Sequence, residues 1–185
     1  MSGRLFLITG ITASGKTTVG HALAAMLPRS IHIDGDWVAR WVVSGSVPMD
    51  LPASVGAVEQ LRLRYAGSLA VSQVYRHAGF DAVVTDNIFE RDLTGVLDLA
   101  FADDETSAVF VTVLNPSTDE VRRRYQDRPS GGYSSTVTVE VLTASLQRTP
   151  HLGLWLDSSP QTPTQTAKHI LEHLDEAIVT RTRDQ

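Results

Sequence analysis

One motif near the start of the chain constrains its fold more than any other feature. Residues 10–17 read Gly-Ile-Thr-Ala-Ser-Gly-Lys-Thr, a G-x-x-x-x-G-K-T pattern between the apolar run 5–8 and the helix-like stretch 18–27. Gly10 and Gly15 let the backbone curl so that its N–H groups point at an anion, and a helix N-terminus adds partial positive charge. The pattern predicts a strand, a phosphate-binding loop and a helix; the alternative is a Gly-rich turn without a ligand.

The same motif gives roles to its side chains. Lys16 supplies a mobile charge for the outer phosphates of a nucleotide, and the Thr17 hydroxyl can hold Mg²⁺. The residues expected to bind the nucleotide here are Gly10, Thr12, Ala13, Ser14, Gly15, Lys16, Thr17 and Thr18.

Composition narrows the class of protein. A chain of 185 residues, 42% apolar and 20% charged, is predicted to form one globular domain over residues 1–185. The net charge of −5 and the lack of a basic block argue against a nucleic-acid partner. Without cysteines there is no disulfide or thiolate metal site, and no run approaches the roughly 18 apolar residues of a membrane helix. We expect a cytoplasmic protein without a membrane partner, either a monomer or a homodimer.

Short apolar runs alternate with helix-like segments along the chain. The runs are unbroken rather than alternating, which is typical of strands buried on both faces of a parallel sheet. The sequence therefore predicts a doubly wound α/β fold with a five-stranded parallel sheet, and with ligands at the carboxyl ends of the strands. The predicted strands are 5–9, 31–34, 82–86, 108–114 and 154–157, and the predicted helices are 16–27, 36–43, 55–78, 93–102, 118–125, 137–146 and 163–179.

Two carboxylates follow the second predicted strand, in the sequence Asp34-Gly35-Asp36. A buried Asp is costly unless it is paired, so a cation or a substrate hydroxyl is expected nearby. Asp36 is the candidate for orienting or deprotonating a hydroxyl, and Asp34 for holding Mg²⁺ through water. The alternative is that these residues form a turn, with Asp36 capping the next helix.

The third predicted strand ends in Asp86-Asn87. An apolar strand that ends in Asp beside a phosphate-binding loop is typical of a second Mg²⁺ anchor. Asn87 is then expected to face the substrate, although an apolar run followed by Asp also occurs by chance in α/β proteins.

An arginine-rich helix runs into a Pro/Gly/Ser segment at residues 121–132. This pattern predicts a lid at about residues 126–137 that brings guanidinium groups over the transferring phosphate. Arg124 and Arg128, spaced i to i+4, are the predicted catalytic pair, whereas Arg122 and Arg123 fit a solvated helix face.

Two indoles and a guanidinium follow the D-G-D segment, at Trp37, Arg40 and Trp41. They are predicted to contact the acceptor, since aromatic faces and a guanidinium can hold a ring-bearing or anionic compound. The alternative is that the tryptophans belong to the core of an amphipathic helix. Helix periodicity places Arg62 and Arg64 on different faces of the next helix, so the sequence does not decide which of them reaches this pocket.

These segments together resemble the small P-loop kinases that phosphorylate metabolites. Ile33-Asp34-Gly35-Asp36 resembles the L-D-G-D segment of gluconate kinases and adenylylsulfate kinases, and 36–38 and 85–89 resemble segments of chloramphenicol phosphotransferase. The resemblance implies a nucleoside-monophosphate-kinase-like fold with an arginine-bearing lid. It also implies Mg²⁺-dependent transfer of the γ-phosphate of ATP to a hydroxyl of a metabolite or antibiotic-like compound, with Asp36 as base and Ser159 and Pro160 beside the adenine.

The chain also departs from these kinases. Residues 37–41 read Trp-Val-Ala-Arg-Trp, where adenylylsulfate kinases carry an Asn-Val-Arg pattern and gluconate kinases a His/Pro/Arg one. This difference puts both of those substrates in doubt. A nucleoside or nucleotide kinase, and a P-loop NTPase switch without a small-molecule acceptor, are the alternative functions.

Overall fold

The described chain, residues 2–102, 108–127, 133–134 and 136–181 of a computed structural model, is built around a mostly parallel sheet. The sheet contains β1 (Leu5–Gly10), β2 (Ser30–Asp34), β3 (Asp81–Thr85), β4 (Val109–Leu114) and β5 (Leu154–Leu156). Their order is β2-β3-β1-β4-β5, and all four neighbouring pairs are parallel. The five predicted parallel strands are therefore confirmed, and the sheet also contains a sixth, antiparallel strand.

Helices connect these strands and cover both faces of the sheet. They are α1 (Lys16–Met26), α2 (Gly35–Ala39), α3 (Val55–His77), α4 (Arg91–Ala102), α5 (Thr118–Gln126), α6 (Val139–Gln147), α7 (Pro163–Glu172) and α8 (Leu174–Ala177). Thr162 and Gln165 form a capping box at the start of α7. Within the described residues, no helix is long and apolar enough to cross a membrane.

Two predicted helices end earlier than expected. The helix predicted over 36–43 stops at Ala39, before the β-branched pair Val42 and Val43 and before Gly45, whose φ is +78°. The helix predicted over 163–179 is interrupted at His173 (φ −124°, ψ 40°). Its last residues form β6 (Ile178–Val179), which pairs antiparallel with the start of β4. No Gly or Pro marks this break, so the sequence pattern did not indicate it.

The apolar core lies on both faces of the sheet, as the unbroken apolar strands require. In β1, Leu5 and Leu7 pack into one cluster while Phe6 and Ile8 pack into the other, and all four are at most 1% exposed. Because β2, β3 and β1 are parallel neighbours, the segments that follow them meet at one edge of the sheet. The phosphate-binding motif, the D-G-D segment and Asp86 all follow these three strands.

Candidate active site

The phosphate-binding motif forms a curled loop between β1 and α1. Gly10 (φ +150°), Ala13 (φ +65°) and Gly15 (φ +99°) have positive φ, the region that favours glycine. A Cβ on Gly10 would also lie 2.5 Å from the carbonyl oxygen of Leu114. The loop closes on the Ile11 carbonyl, which accepts hydrogen bonds from the Ser14 amide at 3.0 Å and from Lys16 Nζ at 3.1 Å. The two motif glycines are therefore required by backbone conformation, as the sequence predicted.

A cleft of about 680 Å³ lies over this loop and brings together most of the predicted site. It is lined by side chains from the loop, from the ends of β2 and β3, from α5 and from the segment after β5. Of the predicted residues, the lining includes Thr12, Ala13, Gly15, Lys16, Thr17, Thr18, Asp34, Asp36, Asp86, Asn87, Arg124, Ser159 and Pro160. Gly10 and Ser14 do not line the cleft.

The D-G-D segment turns the end of β2 into α2. Asp34 is the helix cap: its Oδ1 accepts a hydrogen bond from the Asp36 amide at 2.8 Å. The capping role considered for Asp36 thus belongs to Asp34, and the Asp36 side chain is exposed in the cleft. A Cβ on Gly35 would overlap the Asp86 carboxylate, with Oδ1 at 2.9 Å and both Cγ and Oδ2 closer still. The glycine between the two aspartates is needed because Asp86 packs directly against it.

Asp86 is a buried carboxylate at the floor of the cleft, only 4% exposed. Its Oδ1 accepts hydrogen bonds from Arg64 Nη2 at 2.6 Å and from the Asn87 amide at 2.7 Å. Its Oδ2 is buried without a hydrogen-bond partner in the structure. Burial raises the pKa of Asp86 to about 6, although Arg64 pulls it in the opposite direction. Such a carboxylate is unfavourable for stability alone and is characteristic of a functional site.

Arg64 is a site residue that sequence reasoning did not single out. Both Arg62 and Arg64 lie on α3, and only the packing of this helix against the sheet places Arg64 over the end of β3. No signal in the sequence distinguishes the two, because their spacing gives two helix faces without saying which one is buried.

Arg124 joins three parts of the cleft. Its guanidinium donates to the Ser14 carbonyl at 2.9 Å, to the Ser158 carbonyl at 2.8 Å and to Glu120 at 2.7 Å. These contacts connect the phosphate-binding loop to the segment after β5, and the catalytic role of Arg124 stays a prediction. Arg128 and half of the predicted lid lie outside the described residues.

The other two arginines of α5 are exposed, and Arg123 also lines the cleft. Arg122 forms ion pairs with Asp119 and Glu140, and Arg123 with Glu120. Hydrogen bonds from Arg123 and Arg124 lower the pKa of Glu120 to about 2. Exposed pairs of this kind contribute little to stability.

The segment expected beside the adenine is held in place by local hydrogen bonds. Asp157 accepts from both the amide and the hydroxyl of Ser159, and these bonds lower the pKa of Asp157. Ser159 Oγ in turn accepts from the Ser117 amide at 2.8 Å. Ser159 and Pro160 therefore form a fixed edge of the cleft, opposite the two carboxylates after β2.

A second cavity, of about 890 Å³, lies beside the first. Its walls are the end of α2, the following loop, α3, the start of α4 and α6 with the residues before it. Thr12 and Asn87 line both cavities, and Asn87 Nδ2 donates to Thr12 Oγ1 at 3.4 Å. The Tyr133 hydroxyl donates to the Thr12 carbonyl at 2.6 Å at the same point. The second cavity therefore reaches the first beside the phosphate-binding loop.

The two tryptophans of the predicted aromatic cluster share one cleft, and only one of them reaches the second cavity. Trp37 and Trp41 are 63% and 60% exposed, so neither belongs to the core. Both tryptophans line a separate cleft that includes His21 and His32, and Trp41 also lines the second cavity. The Arg40 guanidinium lies 5.1 Å from the centre of the Trp37 ring. Of the three residues, the structure brings only Trp41 to the second cavity, because α2 ends too early to align them on one face.

Comparison with known proteins identifies the fold. No family model and no curated protein sequence matches the chain. An unliganded sugar kinase from Janibacter sp. HTCC2649 is similar in structure, with 19% identity over 95% of this chain and 96% of that chain and a TM-score of 0.69. The Mycobacterium tuberculosis APS kinase in complex with AMPPNP and APS has 17% identity over 94% and 98%, with a TM-score of 0.68. The Deinococcus radiodurans tunicamycin resistance protein has 17% identity over 97% and 99%, with a TM-score of 0.66.

These neighbours define the class of fold. The chain has the α/β fold of the small-molecule P-loop kinases, as the resemblance in sequence implied. At identities below 20% the likeness concerns the fold, and the chemistry must be argued from the residues of the site.

Proposed function

We propose that the protein is an ATP-dependent phosphotransferase that moves the γ-phosphate of ATP to a hydroxyl of a small molecule. The observation that carries this proposal is the meeting of two cavities at Thr12 and Asn87. One cavity contains the phosphate-binding loop and four carboxylates, and the other is large enough for an acceptor. A nucleotide switch that only hydrolyses ATP has no need of the second cavity.

The first cavity is suited to the nucleotide. Its loop amides and the start of α1 favour the negative phosphates, and Lys16 neutralises charge that develops during transfer. Ser159 and Pro160, at the far edge of the cleft, are the proposed neighbours of the adenine. The APS kinase with AMPPNP and APS is a protein of this fold that holds a nucleotide and an acceptor together.

The residues at this site fit a Mg²⁺ ion. Thr17 is exposed at the start of α1, and Asp86 has a buried oxygen without a partner. Among the described residues there is no group of three or more His, Asp or Glu side chains that could hold a metal by itself. This suits Mg²⁺, which usually keeps several waters and uses one or two carboxylates together with substrate phosphates. Thr17, Asp34 and Asp86 would hold the ion, which supplies charge neutralisation at the phosphates when bound.

The acceptor side of the reaction depends on Asp36. Its carboxylate accepts the proton of the acceptor hydroxyl as the oxygen attacks the γ-phosphorus, and the bond from phosphorus to the β,γ-bridging oxygen breaks. ADP leaves with that oxygen, whose charge Lys16 stabilises. Asn87 lines both cavities, which supports a role in orienting the acceptor.

A screen of ATP consumption tests the proposal. Purified protein is incubated with Mg²⁺ and ATP, and with pools of metabolites, nucleosides or hydroxyl-bearing antibiotics. Stimulation by one pool, with labelled phosphate recovered on a pool member, supports the proposal; Lys16→Ala is the matched inactive control. Hydrolysis that no pool stimulates would instead indicate an NTPase switch, and a response to the nucleoside pool alone would indicate a nucleoside kinase. Cytoplasmic location and a monomeric or dimeric state stay predictions.

A further inference from the structure

We infer that the acceptor is an uncharged, largely apolar, ring-bearing alcohol of natural-product size. This inference rests on the proposed function and concerns the second cavity. Cavities of 300 to about 1,000 Å³ enclose drug-sized ligands, and this one measures about 890 Å³. An open-chain sugar acid would occupy only a small part of it.

Apolar and aromatic side chains form most of the cavity wall. Trp41, Phe89 and Tyr133 supply aromatic surface, and Leu61, Val141 and Leu142 supply aliphatic surface. Aromatic rings pack against one another in offset or edge-to-face geometry and gain little from a hydrated, open-chain polyol. The wall therefore favours an acceptor that carries rings and few polar groups.

The loop after α2 holds apolar side chains over the cavity. Val47, Met49 and Leu51 line the cavity, and each is 37–39% exposed to solvent. Three neighbouring apolar side chains exposed over a cavity are typical of a binding surface, because a ligand removes them from water.

This loop is fixed to the rest of the protein by polar contacts. Gln60 on α3 donates to the Gly45 carbonyl at 2.7 Å and accepts from the Val47 amide at 3.0 Å. The Leu51 amide donates to Thr136 Oγ1 at 3.2 Å. The apolar side chains are therefore held in position from both ends of the loop, which reduces the entropy lost on binding.

Among the described residues, four charged side chains line the cavity, and two of them are already ion-paired within the protein. Arg64 is paired with Asp86, and Glu90 with Arg148, each at 2.6 Å. An anionic acceptor would have to compete with Asp86 for Arg64, at the cost of leaving that carboxylate buried and unpaired. The cavity is thus better matched to an uncharged acceptor than to a sugar acid or a sulfonucleotide.

The test compares two panels of acceptors in a phosphate-transfer assay with labelled ATP. One panel contains a flavonoid, a steroid alcohol, a macrolide and chloramphenicol, and the other contains gluconate, adenylylsulfate, glucose and cytidine. Binding of each compound to Lys16→Ala is measured in parallel by equilibrium dialysis, which does not depend on transfer. Three variants are compared: Leu63→Gln and Met49→Gln alter the cavity wall, and Leu99→Gln on α4 is the control. Leu63 and Leu99 are both exposed leucines on helices, at 64% and 50%, and only Leu63 lines the cavity.

We expect transfer to at least one member of the first panel. Leu63→Gln and Met49→Gln should each raise the KM for that acceptor by roughly 10-fold or more, the range for lost apolar contacts in a pocket, with the KM for ATP unchanged. Leu99→Gln should match the wild type. Transfer confined to the polar panel would overturn the inference and leave the proposed function intact. If neither panel is phosphorylated, the binding measurement decides. Dialysis that detects binding of first-panel compounds, weakened by Leu63→Gln, supports the inference, and the lack of such binding overturns it.

Discussion

Substituting Gly35 by alanine tests how the D-G-D segment and Asp86 depend on one another. The new Cβ would overlap three atoms of the Asp86 carboxylate, and even the farthest, Oδ1 at 2.9 Å, lies 0.5 Å inside the 3.4 Å at which ordinary contact begins. The carboxylate must therefore move by more than that, although its contact with Arg64 is only 2.6 Å long. Movement of the helix backbone is the other way to relieve the overlap, and it would displace Asp34 and Asp36.

The magnitude follows from two opposing effects. Overpacking a closely packed site costs about 1–3 kcal/mol, and weakening the buried ion pair adds to that cost. Alanine in place of glycine in a helix stabilises the folded protein by about 0.5–1 kcal/mol. We expect Gly35→Ala to lower the free energy of unfolding by about 1–3 kcal/mol, at the upper end if the Arg64 contact breaks.

Urea unfolding followed by circular dichroism measures this change, and phosphate transfer at varied Mg²⁺ measures its effect on the site. Gly95→Ala on α4 is the matched control: its Cβ would meet nothing within 4 Å, so it should be neutral or stabilising by up to about 1 kcal/mol. If Gly35→Ala unfolds at the same urea concentration as Gly95→Ala, with an unchanged Mg²⁺ dependence, the packing argument for this glycine is wrong.

Three further changes test the site and its surroundings. Lys16→Ala should reduce phosphate transfer by about 10²-fold or more, with a nearly unchanged thermal midpoint; turnover within about tenfold of the wild type would remove Lys16 from the chemistry. Asp36→Asn should lower turnover by about 10²-fold with little change in ATP affinity. Asp34→Asn should raise the Mg²⁺ requirement and still cap α2, because Asn caps a helix as well as Asp does. Reversed phenotypes would mean that the two residues exchange these roles. Burial lowers the pKa of His32 below 6.5; the charge of Asp34 opposes this shift and His21 adds to it. Because the folded protein prefers neutral His32, it loses stability as the pH falls from 6.5 through the folded-state pKa. In His32→Gln the thermal midpoint should depend less on pH between pH 7 and pH 5 than in the wild type. A pH dependence as steep as that of the wild type would contradict this assignment.

The parts of the site that follow the parallel strands could be predicted from the sequence. Apolar runs located β1, β2 and β3 to within a residue or two, and the carboxyl ends of parallel neighbours lie at one edge of a sheet. That rule alone places Lys16, Asp36 and Asp86 around one cleft. Their separate catalytic roles stay predictions, because position in a cleft does not determine chemistry.

The second cavity could not be predicted in the same way, because helix packing decides its lining. Trp37 and Trp41 are equally aromatic and almost equally exposed, yet only Trp41 reaches the cavity. The difference arises where α2 ends, before Val42, Val43 and Gly45, and from the packing of α2 against α3. Of Arg62 and Arg64, only Arg64 pairs with Asp86, for the same reason. The sheet beneath α3 sets the rotation of this helix about its axis.

Asp86 depends both on its position at the end of a strand, which could be predicted, and on helix packing, which could not. The sequence identified it as the end of an apolar strand, and the structure adds that it requires a glycine on α2 and an arginine on α3. A buried carboxylate with a raised pKa and one unpartnered oxygen lowers the stability of the folded protein, and an apolar residue at this position would destabilise it less. Through Gly35 it fixes the helix that carries Asp36, and through Arg64 it touches the wall of the second cavity. The arrangements of the proposed nucleotide cleft and of the proposed acceptor cavity therefore depend on the same carboxylate.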